Sequence, residues 1–454
     1  MTQPSLLAGA ARRIITPPAG IFLIGYGDRT RGNTGLHDDL TATALVLSDG
    51  TLRLALVALD MLAVNEFVVD RVRARLAPLE VLLCCSHTHS GPIAYAGNKS
   101  PRKNRLYIDS LVENIVSAVQ EAAAGAVPVR LEYASGTAGI AINRREKMSD
   151  GRMEIGRNPD GVVDRSLQVV SVLSLHDPPP SSEQGSGVGV RLATLVNFAC
   201  HGTVLGPDNL LASSDWIGVM RNRVEAELGG LALFLQGAAA DLNPAMYWDD
   251  VRAFEMVAEQ GRSVAESVLA AVRAGSEPLP GLPLGIERAE AWLPTETPAA
   301  GPRPPKNYAK PLLAMAKLPG WLAFLADPLL NQRYPWKPRI QARGGVWSVP
   351  MRVNAVRMGE LALVSFAAET FTEIGLAVRQ GSPSRHTLFA SLTDGCISYL
   401  HTAASHPEGG YEVDVAPLAY RYPGRLAVDC ETIALARTRL LLARLWEKGD
   451  GLIR

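Results

Sequence analysis

Two histidines follow the clearest apolar run in the chain. Val81 to Cys85 is a short run of strand-forming residues, and Ser86-His87-Thr88-His89-Ser90-Gly91-Pro92 comes directly after it. Side chains at positions i and i+2 of an extended chain point to the same side, so both imidazoles can face one cavity. Gly91-Pro92 favours a turn that leaves them at the end of the strand. The pattern is typical of a site that binds a metal or moves a proton.

Three more apolar runs end close to a residue that can bind a metal. They are 191–199 before His201, 361–366 before Glu369 and 388–392 before Tyr399. A catalytic zinc usually takes three protein ligands from His, Asp or Glu and leaves a position for water. His87, His201 and Glu369 are therefore candidate ligands, with Tyr399 as a candidate fourth oxygen ligand.

Each of these residues also has a plainer interpretation. A histidine after a strand is more often a hydrogen-bonded core residue than a ligand. Glu369 also suits the first turn of a helix predicted over 370–378, and Tyr399 also suits half-buried packing. The residues alone predict a metal-dependent hydrolase and do not identify its substrate.

The elements that position these residues alternate along the chain as strand, polar turn and helix. One predicted helix, Leu106 to Ala124, carries apolar residues on one face and has Gly125 as its C-cap. This alternation predicts an α/β fold with mixed β-sheets covered by helices. Such sheets bind ligands at the carboxyl ends of their strands. We therefore expect one cleft to contain Asp60, His87, His89, His201, Glu369 and Tyr399.

Composition excludes some classes of partner. Lys plus Arg equals Asp plus Glu at 45 each among 454 residues, so no overall charge favours nucleic acid. The N-terminus has no basic region before a long apolar segment, and no run approaches roughly 18 apolar residues. The five cysteines show no CxxC spacing, which favours reduced thiols. We expect a cytoplasmic protein without stable membrane insertion, and a homo-oligomer is compatible with the sequence.

Two segments have the composition of insertions. Residues 178–187 predict a flexible surface loop. Residues 298–344 have flanks rich in proline and basic residues around an apolar and aromatic middle, which predicts a lid or an interface element. An ordinary helix packed on the core is an equal alternative for that middle part. We interpret residues 1–454 as a single catalytic domain that contains this insertion.

The segment Ser86 to Pro92 resembles the THTHSGP signature of the neutral, non-lysosomal ceramidases, which are zinc-dependent amidases that split the N-acyl bond of ceramide. Further matches to this family follow in the family's order. They are Ile15-Thr16-Pro17-Pro18, Gly25-Tyr26-Gly27, Gly35-Leu36-His37-Asp38, Asn143-Arg144, Asn197 to His201, Ser213-Ser214-Asp215, Ala367-Ala368-Glu369 and the pair Tyr399 and Tyr411.

The resemblance implies a ceramidase-like catalytic domain and a Zn²⁺ ion with four ligands. These ligands are His87, His201, Glu369 and Tyr399. The resemblance also implies three catalytic roles, namely proton transfer by His89, substrate positioning by Arg144 and hydrogen bonding to the developing oxyanion by Tyr411.

The chain departs from the family in two ways. The family's GDVSPN segment has a serine proposed to act in catalysis, whereas this chain has Ala240-Asp241-Leu242-Asn243-Pro244. An amide such as that of Asn243 cannot act as a nucleophile. The chain also ends at Arg454, which predicts a catalytic domain without the C-terminal immunoglobulin-like domain, and the residues at its N-terminus predict no secretory signal of the family's kind. We therefore expect a small-molecule amide rather than ceramide itself as the substrate.

The predicted activity is zinc-dependent cleavage of the C–N bond of an N-acyl or aryl amide by metal-activated water. His89 or Asp241 would accept the proton, and Asn243 would join Tyr411 as a donor to the oxyanion. Two alternatives stay open. A zinc-dependent esterase or lactonase would need the same residues, and a catalytically inactive metal-binding relative would explain the missing serine. Retention of all four candidate ligands argues against the inactive relative.

Overall fold

The computed structural model describes most of the chain, namely residues 5–27, 29–92, 94, 102–175, 190–247, 251–296, 340–420 and 422–450. The loop predicted at 178–187 and most of the insertion predicted at 298–344 lie outside these residues. The last part of that insertion is described, and it enters a short strand at Gln341–Arg343.

Nine strands form the largest sheet of the described chain. They are β1 (Leu7–Ile14), β3 (Thr41–Ser48), β4 (Arg53–Leu59), β5 (Glu80–Cys85), β6 (Val127–Thr137), β9 (Ser166–Ser174), β10 (Arg191–Phe198), β12 (Leu231–Gln236) and β14 (Glu277–Leu279). Their order is β12-β10-β9-β6-β1-β3-β4-β5, with β14 on β6. The pairs β4/β5 and β10/β12 are parallel and the others antiparallel. The sheet is therefore mixed, as the sequence predicts.

The remaining strands form a second large sheet and three small ones. The second sheet contains β15 (Leu284–Pro294), β16 (Gln341–Arg343), β17 (Val346–Met358), β18 (Leu361–Phe366) and β20 (His386–Ala390), in the order β15-β17-β18-β20 with β16 on β17. The small sheets are β13 (Leu242–Pro244) with β7 (Ala141–Lys147) and β8 (Met153–Asn158), β2 (Gly35–Leu36) with β11 (Leu211–Ala212), and β19 (Glu369–Thr370) with β21 (Tyr399–Leu400).

Helices cover the outer faces of both large sheets. They are α1 (Glu66–Leu76), α2 (Arg102–Ala124), α3 (Trp216–Leu228), α4 (Ala253–Arg273), α5 (Thr372–Gln380), α6 (Ala416–Ala419) and α7 (Cys430–Asp450), and a π-helical turn spans Tyr411–Val415. The helix predicted over 106–124 is confirmed and begins earlier, at Arg102. Within the described ranges, no helix combines the length and the apolar character that a membrane crossing requires.

The two large sheets pack face to face. Side chains alternate along each strand, so successive residues point into the core between the sheets or into the core beneath the helices. In β4, Leu54 and Leu56 point to the second sheet and share a buried cluster with Leu361 and Leu363. Ala55, Val57 and Leu59 point the other way, into the core beneath α1 and α2. Because both faces are buried, such a strand has a nearly continuous apolar sequence. The result is four layers, with α1 to α4 on the first sheet and α5 and α7 on the second.

All five cysteines are buried and free. Burial raises the pKa of Cys84 and of Cys396 to about 12. The thiols therefore stay protonated at neutral pH and behave as small core residues.

A buried carboxylate joins the two large sheets next to the end of β5. Asp394, which follows β20, accepts hydrogen bonds from the backbone N–H of Leu83 (3.0 Å) and from Asn354 Nδ2 (3.1 Å). The guanidinium of Arg73 on α1 also donates to it, at 2.5 Å. Asp394 is fully buried and adopts φ = +63°. It thus holds β5 against the second sheet at the point where the chain leaves toward His87.

We predict that Asp394→Ala lowers the free energy of unfolding by about 3–5 kcal/mol, because it leaves the Arg73 charge and two buried N–H donors without their acceptor. Urea denaturation checks this value. Asp150→Ala is the control, since Asp150 pairs with Arg152 at the surface and should leave stability near that of the wild type. Equal stability of both variants would contradict the role given to Asp394.

Candidate metal centre

Two loops that follow distant strands of the nine-stranded sheet run side by side and bring the histidines together. One follows β5 and the other follows β10; they form a parallel bridge between Thr88 and Gly202. The backbone N–H of His89 donates to Gly202 O at 3.0 Å. A Cβ at position 202 would lie 3.0 Å from the Cα of Thr88, so glycine permits this close approach.

The backbone of His87 is held in a conformation that non-glycine residues rarely adopt, with φ = +64°. Its N–H donates to Met61 O (2.9 Å), and its ring Nδ1 lies 2.9 Å from Leu62 O. These two contacts fix both the main chain and the ring. Local strain held in place in this way is common at functional sites.

The small two-stranded sheet of β19 and β21 supplies an acid and a phenol. Glu369 on β19 pairs directly with Tyr399 on β21, and the two short strands are parallel. The N–H of Glu369 donates to Ser398 O at 3.0 Å. The carboxylate and the phenol therefore emerge side by side next to the histidines.

The side chains of this centre converge on one point. His87 Nε2 lies 3.1 Å from His201 Nε2, and Glu369 Oε2 lies 3.2 Å from the first nitrogen and 3.5 Å from the second. His89 Nε2 lies 3.3 Å from His87 Nε2, so the three imidazoles form a group whose ligand atoms are within 4.8 Å of one another. All four residues are buried.

The hydrogen bonds of the outer ring nitrogens decide where the lone pairs point. His201 Nδ1 lies 2.7 Å from Ala239 O and 2.8 Å from Leu242 O, and His87 Nδ1 faces Leu62 O. Carbonyl oxygens only accept, so each Nδ1 carries the proton and each Nε2 presents a lone pair in the neutral ring. Two lone pairs and a carboxylate oxygen cannot hydrogen-bond one another, so a cation fits between them.

Electrostatics keep these groups in the protonation states that a metal requires. Burial lowers the pKa of His201 to about 4, with the Arg144 charge adding to the shift. Burial likewise lowers the pKa of His89 well below its ordinary value. Burial alone would raise the pKa of Glu369, but His87 and His201 hold that pKa well below its ordinary value. The centre thus offers neutral imidazoles at His89 and His201 and an ionised carboxylate at Glu369, which suit Zn²⁺.

Tyr399 lies beside the centre as a neutral phenol. Burial and the Glu369 carboxylate raise the pKa of Tyr399 well above its ordinary range. The Arg144 guanidinium lies 5.6 Å from the centroid of the Tyr399 ring, and the ring of Tyr411 packs edge-on at a centroid distance of 5.6 Å. A cation next to Tyr399 would favour its ionised form and with it a fourth ligand.

Comparison with known proteins adds to this geometry. The sequence model of the family described as neutral/alkaline non-lysosomal ceramidase, N-terminal, matches residues 6–239, which is just over half of the chain and includes His87, His89, Arg144 and His201. The chain belongs to the neutral/alkaline non-lysosomal ceramidase family. Glu369, Tyr399 and Tyr411 lie beyond the matched residues.

Two curated members of this ceramidase family are similar to the chain over part of its length. A neutral ceramidase of Mycobacterium tuberculosis is 27% identical over 250 residues, which are 49% of this chain and 37% of the relative. A neutral ceramidase of Pseudomonas aeruginosa is 28% identical over 247 residues, which are 50% of this chain and 35% of the relative. The alignments thus span little more than a third of the curated relatives.

Two solved structures share the ceramidase fold over almost the whole chain. The crystal structure of neutral ceramidase from Pseudomonas aeruginosa superposes with a TM-score of 0.75 at 20% identity, covering 98% of this chain and 75% of that chain. A structure described as ceramidase complexed with C2 gives a TM-score of 0.73 at 20% identity, covering 98% and 76%. The fold predicted from the resemblance is confirmed.

Arg144 and Asn243 form one wall of the centre in this ceramidase-family chain. Arg144 Nη1 lies 3.3 Å from His201 Nε2 and 3.3 Å from Asn243 Oδ1. Its Nη2 is buried and has no hydrogen-bond partner among the described residues. Asn243 uses its oxygen for Arg144, which leaves its NH₂ group as the donor. Both side chains thus have N–H groups left for a substrate.

Asp60, which was predicted in the cleft, and Asp241, which was predicted as a catalytic residue, both have structural partners. Asp60 accepts hydrogen bonds from the backbone and side chain of Thr41 and pairs with Arg221. Asp241 Oδ1 accepts from the N–H and the hydroxyl of Thr372, and its Oδ2 accepts from Asn143 Nδ2. Burial raises the pKa of Asp241 to about 6. These carboxylates hold loops of the fold together and do not join the histidine cluster.

A buried glutamate next to Tyr411 was not identified from the sequence. Glu412 accepts from Arg144 Nε and from Arg145 Nη1, each at 2.9 Å, and it is 2% exposed. It lies in the π-helical turn that also carries Tyr411, and such turns are frequent at functional sites. The only local signal is Gly409-Gly410 before the turn, where both residues have positive φ. Glu412 thus connects Arg144 with the turn that carries Tyr411.

We predict that Glu412→Gln destabilises the protein by about 3–5 kcal/mol, because two buried guanidinium groups then lose their shared carboxylate. Thermal and urea unfolding measure the loss. Glu408→Gln is the matched control, since Glu408 also pairs with Arg145 but lies half exposed, and it should cost less than about 1 kcal/mol. If Glu412→Gln is no more destabilising than the control, the bridge is not a structural requirement.

Proposed function

We propose that this chain is a metal-dependent hydrolase that cleaves the C–N bond of an N-acyl or aryl amide, with Zn²⁺ held by His87, His201 and Glu369 and by Tyr399 as a further ligand. The convergence of two imidazole lone pairs on the Glu369 carboxylate carries this proposal. A zinc ion held there would supply a Lewis acid and lower the pKa of water from about 15.7 toward about 7. Support also comes from the family, whose curated members are named neutral ceramidase.

Three side chains can stabilise the negative charge that develops on a carbonyl oxygen. Desolvation raises the pKa of Tyr411 to about 12, so its phenol keeps the proton that it donates. Arg144 offers the N–H groups of Nη2, and Asn243 offers its NH₂ group. Preorganised donors in a site shielded from water contribute strongly to the rate of acyl transfer. We assign the oxyanion to Tyr411, with Asn243 as the second donor and Arg144 as the group that positions the substrate.

Water is the proposed nucleophile. Asn243 occupies the position of the family's proposed serine, and its amide cannot attack a carbonyl. His89 is neutral at pH 7, and its Nδ1 is buried without a hydrogen-bond partner among the described residues. It can accept the proton of water and return it to the leaving amine. Asp241 is the weaker candidate for this step because both of its carboxylate oxygens already accept hydrogen bonds.

We predict that Glu369→Ala and Tyr411→Phe separate metal binding from turnover. Glu369→Ala should weaken zinc binding by more than about 100-fold. Loss of a group that only supports a ligand typically weakens metal affinity by about 10–100-fold, and this variant removes a ligand itself. Tyr411→Phe should keep full zinc content and lower turnover by roughly 100-fold, because the oxyanion loses a donor. Elemental analysis of the dialysed proteins gives the metal content, and N-acyl p-nitroanilides with the matching p-nitrophenyl esters give the activity.

Unchanged zinc content in Glu369→Ala would remove Glu369 from the ligand set. Full activity in both variants would contradict the proposed mechanism. Turnover of the esters with no turnover of the anilides would show that the scissile bond is an ester.

A further inference from the structure

A small cavity lies against the histidine cluster. Its lining includes the candidate ligands His87, His201 and Glu369 and two polar residues of the sheet, Gln236 and Ser391. The groups assigned to the substrate and its oxyanion, namely Arg144, Asn243 and Tyr411, are absent from this lining. The cavity is thus bordered by candidate ligands and by the sheet residues Gln236 and Ser391.

Two polar atoms in this lining have no hydrogen-bond partner among the described residues, namely Gln236 Oε1 and Ser391 Oγ. Gln236 is 1% exposed and Ser391 is 2% exposed, so neither reaches bulk solvent. The Nε2 of Gln236 donates to Cys200 O at 3.0 Å, which fixes its amide and leaves Oε1 as a free acceptor. The N–H of Ser391 donates to Gln236 O at 2.8 Å, so the two residues are neighbours. Glu369 Oε2 has no donor either.

We propose that this cavity binds an ordered water molecule that connects Glu369 to Gln236 and Ser391. A water molecule has two donors and two acceptor sites, and buried waters typically make about three hydrogen bonds to otherwise unpaired polar groups. Here the water donates to Gln236 Oε1 and to Glu369 Oε2 and accepts from the hydroxyl of Ser391. A carboxylate oxygen has two lone pairs, so Glu369 Oε2 can accept this bond and still face a metal ion.

Through this water, Gln236 and Ser391 would support the orientation of a ligand carboxylate. A hydrogen bond to a ligating carboxylate fixes its orientation, and loss of such supporting bonds typically weakens metal affinity by about 10–100-fold. This consequence rests on the proposed metal site. The presence of the water does not rest on the metal site, because the unpaired atoms of Gln236 and Ser391 require a hydrogen-bond partner in any case.

The crystal structure of the full chain at about 1.5 Å resolution or better tests the water directly. We expect one density peak in the cavity within hydrogen-bond distance of Gln236 Oε1, Ser391 Oγ and Glu369, with and without added zinc. An empty cavity, or a peak that is the metal ion itself in anomalous maps, would overturn the proposal. This result is independent of whether the protein hydrolyses amides.

Gln236→Met tests the effect on the metal, and Gln260→Met is its matched control. Gln260 is likewise buried, donates through Nε2 to a backbone carbonyl and has an unpaired Oε1, but it lies on α4 and does not line the cavity. We expect a zinc dissociation constant about 10–100-fold higher in Gln236→Met only, measured by competition with a chelator. Equal dissociation constants in the two variants would overturn the link to Glu369. If the wild type binds no zinc at all, the proposed function fails. The crystal structure still decides whether the water is bound in the cavity.

Discussion

Two imidazole nitrogens that face each other with their lone pairs are the constraint on which this site depends. His87 and His201 each use Nδ1 to donate to main-chain carbonyls, so neither ring can turn its Nε2 away from the other. The Glu369 carboxylate adds negative charge at the same buried point. A divalent cation can bind two imidazole lone pairs and a carboxylate oxygen at once.

The four-layer fold brings these groups together because segments that follow strands of both large sheets each supply part of the site. The first sheet delivers the histidines on two loops that are locked together at Thr88 and Gly202. Glu369 and Tyr399 lie on a separate pair of short parallel strands, which follow β18 and β20 of the second large sheet. Asp394 joins the sheets just before the chain reaches His87, and the strained backbone at His87 is tolerated because the surrounding contacts leave it no alternative.

The sequence predicts the parts of this structure that depend on local pattern. Strands buried on both faces are continuous apolar runs, so the segments before His87 and His201 could be recognised. The resemblance to a family predicted that Glu369 and Tyr399 bind the same ion as the two histidines. The residue type at a single position could not predict this. Contacts between distant side chains have no local signal, and three features were therefore found only in the structure. They are the bridge from Glu412 to Arg144 and Arg145, the commitment of Asp60 and Asp241 to structural partners, and the polar cavity beside Gln236 and Ser391.

The position of a bound zinc ion is the most direct measurement of whether one cation joins these distant residues. Crystals of the zinc-loaded protein, recorded on both sides of the zinc absorption edge, give that position without any assumption about the substrate. We predict one strong anomalous peak about 2.0–2.2 Å from His87 Nε2, His201 Nε2 and a Glu369 carboxylate oxygen. A peak bound elsewhere on the chain, or none at saturating zinc, would contradict the account.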